Sequence, residues 1–353
     1  MSTSVKVMPM LWDDIRSLGS DSSLPGLCFR SRALPPLTGV FKVRNDLFIL
    51  YGQSGTVLVC EGMNKWYHIN VDSKYNIEDL WADDLDNIYA VIHQTTMGCI
   101  GIMRFDGSRW WGQPSPPYKR LRIAAKDRTK LYIAASVGMD NVYEKTGALF
   151  VLENGSCHEL KIFPNRLFTD IFQNDRGEIY IAGYHQKKYF GYVYLYDTCP
   201  WHGGKVSKYQ SDFVFLNRVW GIGSGMWAVG TMGTIASLDN GRWTSNNDWS
   251  VVDGTSRGSP NDPEFTGISA TNPDNVVFSG NLAERGVLID SAYGQHDLGS
   301  YSRAANLGSV VHMNQDTLMV VGNHFHNMKP GRGQVFIVDA PTPPAEKENS
   351  GQE

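Results

Sequence analysis

Short apolar segments recur along this chain with one internal pattern, in which two apolar residues are separated by two others. Seven copies begin at residues 37, 77, 118, 168, 216, 265 and 307, with the sequences LTGVF, IEDLW, YKRLR, FTDIF, LNRVW, FTGIS and LGSVV. After a turn rich in Asn, Asp or Gly, each copy is followed by a second apolar run, such as LFILYG, KLYIAA or GMWAVG. Short runs rich in β-branched and aromatic residues, bounded by such turns, predict β-strands.

A third run opens on a glycine in every copy, and a fourth often begins with an aromatic residue after a turn. The opening glycines are Gly55, Gly101, Gly147, Gly191, Gly233, Gly286 and Gly333. Four short strands in a unit of about 40 to 50 residues are typical of a β-propeller blade. A single sheet cannot bury both of its faces, so blades stack around an axis and cover one another. The sequence therefore predicts an all-β, seven-bladed β-propeller with four-stranded antiparallel blades.

The seventh copy lacks a fourth strand of its own, because GQVFIVDA is followed by PTPPAEKENSGQE. That proline-rich, charged segment is typical of disorder. The N-terminal run SVKVMPMLW lies outside the first copy and has β character, so we expect it to pair with the last blade and close the ring. The predicted boundaries are a closing strand in 1–15, a connector in 16–36, the propeller in 37–340 and a disordered tail in 341–353.

The run WAVGTMGTI from Trp227 and the turn DNGRW from Asp239 resemble the repeats of Asp-box and photosynthesis-assembly-factor-like propellers. The resemblance covers most of the chain from Leu37 to Asp339 and implies the propeller fold. In that family the Asp box is a structural turn, so the resemblance assigns no catalytic residues.

Composition adds constraints on partners and location. Of the 353 residues, 42% are hydrophobic and 19% are charged, and the net charge is −4, so the overall charge does not favour nucleic acid or an anionic membrane. The N-terminus has no signal-peptide core and the chain has no membrane-spanning apolar run, which favours a soluble, cytoplasmic protein. We expect it to be a monomer. The five cysteines are widely spaced, without a CxxC pair, so neither a disulfide framework nor a cysteine zinc site is indicated.

Loop lengths single out one face of the predicted ring. If strands a to d run outward from the axis, the b–c and d–a connections share one face, and the a–b and c–d connections share the other. The b–c connections are short in blades one and five and longer in the other five, and the long d–a connection at 244–264 lies on the same face. Because ordering this extra length costs conformational entropy, the b–c/d–a face is the expected binding face.

The enlarged loops carry histidine, aromatic and basic residues, the types that anchor protein interfaces. The predicted binding residues are His93, Tyr143, His185, Lys187, Lys188, Tyr189, Phe190, Trp249, His324, Phe325, His326, Lys329 and Arg332. The histidines could in principle converge on a metal, but no carboxylate accompanies them at a fixed spacing. Contacts with a partner are therefore the favoured role, and no metal or other cofactor is predicted.

The third residue of each strand a is expected at the mouth of the axial channel on the same face. Four of these seven residues are charged: Asp79, Arg120, Asp170 and Arg218. One interpretation is a set of salt bridges between adjacent blades. The other is a pocket in which Arg120 and Arg218 hold an anionic group while the aspartates accept hydrogen bonds. Both predict close partners, because an unpaired charge near a narrow channel is costly.

Three functions are compatible with these features. The leading hypothesis is a non-enzymatic protein-interaction propeller, acting as an adaptor, an assembly factor or an inhibitor, that grips another protein with the b–c/d–a face. The alternatives are a glycan-binding propeller and a hydrolase or lyase with its site at the channel mouth, where a small anionic ligand or a glycan could also bind. A lectin is expected to repeat similar pockets blade by blade, whereas these loops differ in every blade.

Overall fold

The computed structural model describes residues 9–10, 26–29, 34–62, 65–69, 71–137, 146–185, 190–198, 206–210, 215–246, 263–282, 285–290, 295–296, 305–326 and 329–339. Regular secondary structure in these ranges consists of 29 β-strands in seven antiparallel sheets. The innermost strands contact one another in sequence order, and the last contacts the first, which closes a ring. The predicted all-β, seven-bladed propeller is confirmed. Within the described ranges there is no helix long and apolar enough to cross a membrane.

The strands are numbered in chain order, and each blade is one sheet. Two N-terminal strands are Pro9–Met10 (β1) and Gly26–Phe29 (β2). Blade one comprises Leu37–Arg44 (β3), Leu47–Gly52 (β4), Val57–Glu61 (β5) and Lys65–His68 (β6). Blade two comprises Tyr75–Asp84 (β7), Asn87–Gln94 (β8), Cys99–Phe105 (β9) and Trp110–Gln113 (β10). Blade three comprises Arg120–Ala124 (β11), Lys130–Ser136 (β12), Thr146–Glu153 (β13) and Ser156–Pro164 (β14).

The remaining four blades follow the same order from the axis outward. Blade four comprises Arg166–Gln173 (β15), Ile179–His185 (β16), Phe190–Tyr196 (β17) and Val206–Gln210 (β18). Blade five comprises Leu216–Ile222 (β19), Gly225–Gly230 (β20), Ile235–Asp239 (β21) and Arg242–Asn246 (β22). Blade six comprises Glu264–Asn272 (β23), Asn275–Leu282 (β24), Arg285–Asp290 (β25) and Gln295–His296 (β26). Blade seven contains Ala305–His312 (β27), Thr317–His326 (β28) and Lys329–Asp339 (β29).

An N-terminal strand does complete blade seven, but it is not the one predicted. β2 pairs antiparallel with β29 as the outermost strand of that blade. Pro9–Met10, from the predicted closing segment 1–15, instead pairs with β6 as a fifth strand of blade one. The predicted connector 16–36 therefore contains the closing strand. The outermost strand of blade seven must be followed directly by the inner strand of blade one. β2 meets this requirement, because only residues 30–36 separate it from β3. The predicted tail, 341–353, lies outside the described residues.

Apolar residues between adjacent blades form the core. One apolar residue near the start of the inner strand is at most 2% exposed in every blade: Leu37, Ile77, Leu121, Phe168, Leu216, Phe265 and Leu307. The core clusters draw on neighbouring blades, as where Leu47 and Val57 of blade one pack with Ile77 and Leu80 of blade two. Burying each such side chain contributes roughly 1.5 to 3 kcal/mol, so the contacts between blades hold the ring together.

In blades two and seven, strands b and c continue into the enlarged b–c connection and lengthen the hairpin. β28 and β29 continue to His326 and Lys329, which pair with each other, so the stretch from Val320 to Val338 is a long β-hairpin. In blade two the extension ends in the turn 95–98, where Met97 is 71% exposed. A hairpin satisfies the main-chain hydrogen bonds that an irregular loop would leave to water. These hairpins rise from the b–c/d–a face.

Candidate functional site

A pocket opens at the axis on the b–c/d–a face, where the inner strands begin. Its volume is about 400 Å³, within the usual range for ligand sites. The lining residues come from six blades: Pro36, Leu37, Thr38, Gln53, Arg120, Arg122, Phe168, Thr169, Asn217, Arg218, Glu264, Thr266, Asn306, Leu307, Gly308 and Asn323. Three arginines and one carboxylate are the charged members of this set. The lining residues therefore carry a net positive charge, whereas the carboxylates of Asp79 and Asp170 are buried and do not belong to the lining.

Arg122 and Arg218 occupy equivalent places in blades three and five. The Nε of Arg122 donates to the main-chain carbonyl of Thr169 at 3.0 Å, and the Nε of Arg218 donates to that of Thr266 at 3.1 Å. Each carbonyl belongs to the next blade. The hydroxyl of each threonine in turn donates to a main-chain carbonyl of the following blade, at 2.7 and 2.6 Å. The guanidinium groups are thus positioned by a repeated network that crosses from blade to blade.

Asp79 and Asp170 are each 6% exposed and bridge neighbouring blades. An oxygen of Asp79 accepts a hydrogen bond from the main-chain N–H of Ile123, and one of Asp170 accepts from that of Val219, both at 2.9 Å. The other oxygen of Asp170 accepts from Nη1 of Arg218 at 3.0 Å. Both aspartates therefore contribute to contacts between blades, and one of them forms the inter-blade salt bridge that the sequence pattern suggested.

Tyr51 of blade one belongs to the same charged cluster and is 4% exposed. Burial raises the pKa of its hydroxyl, and the nearby carboxylate of Asp79 raises it further, so Tyr51 is a neutral phenol at physiological pH. Its partner across the strand pair is Gly39, where a Cβ would overlap the phenol ring. Burial is the largest effect on Arg218 and opposes its charge, but the neighbouring acidic groups, with Asp170 foremost, together outweigh it and keep the pKa of Arg218 above its ordinary value.

Arg120 also lines the pocket, but Arg122 takes the channel-mouth position that the repeat assigned to Arg120. In six blades the pairing of the inner strand is interrupted by one extra residue, as between Leu216 and Arg218. In blade three the pairing of β11 with β12 is continuous. Aligning blade three from Tyr118 therefore places the third position two residues too early. The Arg120 side chain is exposed, and it makes no hydrogen bond or ion pair with another described residue.

The predicted histidines lie in three different blades. Nδ1 of His93 is 3.7 Å from a carboxylate oxygen of Glu78 in blade two. The ring of His185 lies with its centroid 6.4 Å from that of Tyr192 in blade four. His324 and His326 are in β28, and their side chains lie outside the described part of the structure. Among the described residues, no group of three or more His, Cys, Asp or Glu could hold a metal ion.

The other predicted loop residues divide into two groups. Phe190 is half-buried and packs against the cluster between blades three and four, so it contributes to packing between blades. The main chains of Phe325, Lys329 and Arg332 belong to the hairpin of blade seven, while their side chains are outside the description. The predicted residues that lie wholly outside the described ranges are Tyr143, Lys187, Lys188, Tyr189 and Trp249.

Several residues of the axial pocket escaped the sequence-based prediction. The threonines carried a signal, because Thr38, Thr169 and Thr266 occupy the same place in LTGVF, FTDIF and FTGIS. Arg122 could have been found by aligning the pair Arg122-Ile123 of blade three with the pair Arg218-Val219 of blade five. That alignment requires a one-residue gap in blade three. Tyr51 carried no signal, because its place in the cluster depends on strands that meet only in the closed ring.

No family model and no curated protein sequence matches this chain. Solved structures match in fold. One is described as YCF48 bound to D1 peptide, with a TM-score of 0.61 and 12% identity over 89% of this chain and 97% of that chain. A streptogramin B lyase has a TM-score of 0.62 and 10% identity over 95% and 98% of the two chains, and U3-55K has a TM-score of 0.62 and 10% identity over 90% and 99%. At these identities the likeness is one of fold, and the chain is a seven-bladed β-propeller.

Proposed function

We propose that this propeller is a non-enzymatic protein-interaction protein that grips a partner with its b–c/d–a face and takes an acidic segment of that partner into the axial pocket. The observation that carries the proposal is the lining of the pocket by three arginines and one carboxylate, on the face from which the long hairpins rise. Guanidinium groups bind carboxylates through paired N–H donors. An acidic peptide segment complements this pocket in charge and in hydrogen bonding.

The three arginines have different roles in the proposal. Arg218 is paired with Asp170 at 3.0 Å, so its charge is already balanced. Arg122 donates to two main-chain carbonyls, which are neutral. Arg120 is exposed at the rim. Arg120 and Arg122 are therefore the groups assigned to the ligand, and Arg218 maintains the arrangement around them.

A hydrolase or lyase is the weaker candidate, although a streptogramin B lyase shares the fold. A general base needs a lone pair directed at the substrate. Asp79 and Asp170 each accept a hydrogen bond from the main chain of a neighbouring blade, and Asp170 also pairs with Arg218. These carboxylates serve the scaffold. A propeller of the same fold is described as bound to a peptide, which supports peptide binding here by analogy of fold.

Affinity purification from the native host tests the face. The baits are the unaltered protein, Arg120→Glu, the matched control Arg176→Glu, and a variant with the 183–190 and 323–332 hairpins shortened to the tight form of blades one and five. Arg176 is exposed in the a–b turn of blade four, on the opposite face. A partner should be recovered with the unaltered protein and the control, and lost with the other two. Equal recovery by all four baits would overturn the proposal.

A defined probe tests the pocket without knowledge of the partner. A fluorescent oligoglutamate peptide should bind the unaltered protein and the Arg176→Glu control, and binding should weaken as salt rises because the attraction is screened. Arg120→Glu should reduce the affinity about tenfold or more, the loss expected for one charge-assisted hydrogen bond. An oligoglutamine peptide that bound equally well would contradict recognition of carboxylates.

A further inference from the structure

A second pocket, the inter-blade pocket, lies between blades two and three. Its volume is about 490 Å³. Its floor is apolar and buried, made by Trp81, Leu131 and Leu152. Tyr89 and Arg104 of blade two form one wall, and the a–b and c–d turns of blade three form the other. Those turns belong to the face opposite the axial pocket, so the two pockets are separate.

Arg104 is unusual for its place in the blade. Trp81, Tyr89 and Arg104 are successive cross-strand neighbours on the side of blade two that packs against blade three. The residues at the place of Arg104 are Val59, Val151, Leu195 and Ile337 in blades one, three, four and seven, and Ser237 and Asp290 in blades five and six. An aliphatic residue is the common choice because it packs between blades. A cation that departs from such a pattern is expected at a functional site.

A chain of hydrogen bonds orients Arg104. Its Nε donates to Oδ1 of Asn87 at 2.9 Å, and the amide of Asn87 donates to Oδ1 of Asp83 at 2.9 Å. Asp83 in turn accepts from Nε of Arg128, in the a–b turn of blade three, at 2.8 Å. Asn87, at the centre of this chain, is fully buried. It fixes the guanidinium group of Arg104 through its Nε and leaves both of its Nη groups without a hydrogen-bond partner among the described residues.

The other charges that line the inter-blade pocket already have charged or polar partners. Arg128 pairs with Asp83 and with Asp86, both at 2.8 Å. Glu153 pairs with Lys130 at 3.5 Å. Asp127, which also lines the pocket, accepts from the main-chain N–H and the hydroxyl of Thr129. Arg104 differs from the other lining cation, Arg128, because its hydrogen-bond partner in the described part of the chain is the neutral amide of Asn87. The pocket therefore presents one guanidinium group that has no ion pair with a described residue, above an apolar floor.

We propose that the inter-blade pocket binds a small carboxylic acid with an aromatic or branched apolar body. The two Nη groups of Arg104 receive the carboxylate through paired N–H donors. The apolar body rests on Trp81 and the two leucines, beside the ring of Tyr89, whose centroid is 5.6 Å from the guanidinium carbon. The volume suits a small molecule. A free acid and the C-terminal residue of another protein share this chemistry.

Isothermal titration calorimetry with the full chain tests the site. Phenylacetate represents a free acid and N-acetyl-leucine represents a C-terminal residue; phenylacetamide and N-acetyl-leucinamide are the neutral counterparts. We expect at least one acid to bind saturably. Its amide should bind with an affinity at least about tenfold lower, because the charged hydrogen-bond pair is lost. Preference for one acid over the other identifies the source of the natural ligand.

Variants at Arg104 connect that binding to the pocket. Arg104→Val should lower the affinity for the acid about tenfold or more. The matched control is Arg109→Gln, because Arg109 stacks at 3.4 Å on the exposed Trp111 of the same blade, outside the pocket. Arg104→Gln, which keeps a donor for Asn87, is a second variant with the same expected loss. Three results would overturn the proposal: Arg104→Val and Arg104→Gln bind the acid as tightly as the unaltered protein does, the acid and its amide bind equally, or neither acid binds saturably.

The melting temperature separates binding from a purely structural role. Arg104→Val introduces the residue found at this place in blades one and three, but it also removes the donor to the buried oxygen of Asn87, which is destabilising. Arg104→Gln keeps an N–H donor for that oxygen, so for this variant we expect a nearly unchanged melting temperature together with lost binding. A fall of more than about 4 °C for Arg104→Gln would mark Arg104 as a structural contact between blades and would also overturn the proposal.

Discussion

Arg218 of blade five donates from Nη1 to a carboxylate oxygen of Asp170 in blade four at 3.0 Å, with side chains only 23% and 9% exposed. The second oxygen of Asp170 accepts from the main-chain N–H of Val219. In such a poorly solvated place each charge depends on the other, because an isolated buried charge is very costly. The pair therefore couples two blades at the edge of the axial pocket, and it stabilises the inner ring only while both members are present.

Removal of one member should destabilise the protein strongly. Asp170→Ser leaves the guanidinium of Arg218 buried without its carboxylate, and we expect a loss of about 3 kcal/mol in the free energy of unfolding. The double variant with Arg218→Ser copies Ser309, the residue at this place in blade seven, and should lose clearly less than the sum of the two single variants. Urea denaturation of the four proteins measures the coupling. Strictly additive losses would show that the pair is not coupled.

Truncation distinguishes the two N-terminal strands. A chain that starts at residue 22 loses β1, which adds an edge strand to blade one, but keeps β2 on blade seven. A chain that starts at residue 31 also loses β2 and uncovers β29, where Val335, Phe336 and Ile337 are at most 6% exposed. We expect a small change in thermal stability for the first truncation and a large loss, with aggregation, for the second. Equal losses would place the closing strand upstream of residue 22.

Acid should weaken the protein through His312. This residue is 1% exposed, and its main-chain N–H and Nδ1 lie 2.8 and 2.9 Å from the hydroxyl of Ser269. Burial, with a smaller effect of Lys42, lowers the pKa of His312 from 6.5 to about 4. Between these values the unfolded chain binds a proton that the folded chain does not. The stability supplied by neutral His312 is therefore present above about pH 6.5 and is lost as the pH falls toward 4.

The His312→Asn variant isolates this contribution. We expect the free energy of unfolding of the unaltered protein to fall more steeply with acid than that of the variant, by up to about 1.4 kcal/mol per pH unit inside the window. Urea denaturation of both proteins between pH 4 and 7.5 measures this difference. Because the two proteins share the same carboxylates, the contribution of those groups to the pH dependence cancels. Parallel curves would show that His312 titrates normally in the folded state.

The blades could be predicted from the sequence because their signals are local. Each strand, turn and opening glycine repeats within one blade, so the pattern determines the number of blades and the order of strands. The closing strand could not be predicted in the same way. GLCF is only four residues long, and its role depends on pairing with β29 at the far end of the chain.

The candidate site was predictable only in part, for the same physical reason. Asp79, Asp170 and Arg218 were found because they share one position in the repeat. Arg122 was missed because one residue fewer in the inner strand of blade three shifts the alignment. Tyr51 joins the cluster through residues of blades two and five that are distant in sequence. Contacts across the axis appear only when the ring closes, so a repeat pattern does not reveal them.

Glycines in strand b that pair with the start of strand a provide a test of how closely the blades are built. In five blades a Cβ at this position would overlap a main-chain carbonyl at the start of strand a: Gly52, Gly183, Gly230, Gly280 and Gly322. At Gly230 the carbonyl is that of Phe215, directly before the strand that carries Arg218. Because Gly230 has no Cβ, the main chain of strand a can lie close to strand b just before the irregular pairing between Leu216 and Arg218. Gly230→Ala must push that strand away.

We expect Gly230→Ala to lower the free energy of unfolding by about 1 to 3 kcal/mol, the cost of overpacking. Because the displaced strand carries Arg218, the variant should also weaken binding of the oligoglutamate probe. The control is Gly112→Ala in β10, where a Cβ would meet no atom within 4 Å, and its effect should stay within about 0.5 kcal/mol. Urea denaturation and peptide titration measure both effects. If Gly230→Ala were as neutral as the control, a Cβ would be tolerated beside the carbonyl of Phe215, and the glycine would not be what sets the position of Arg218.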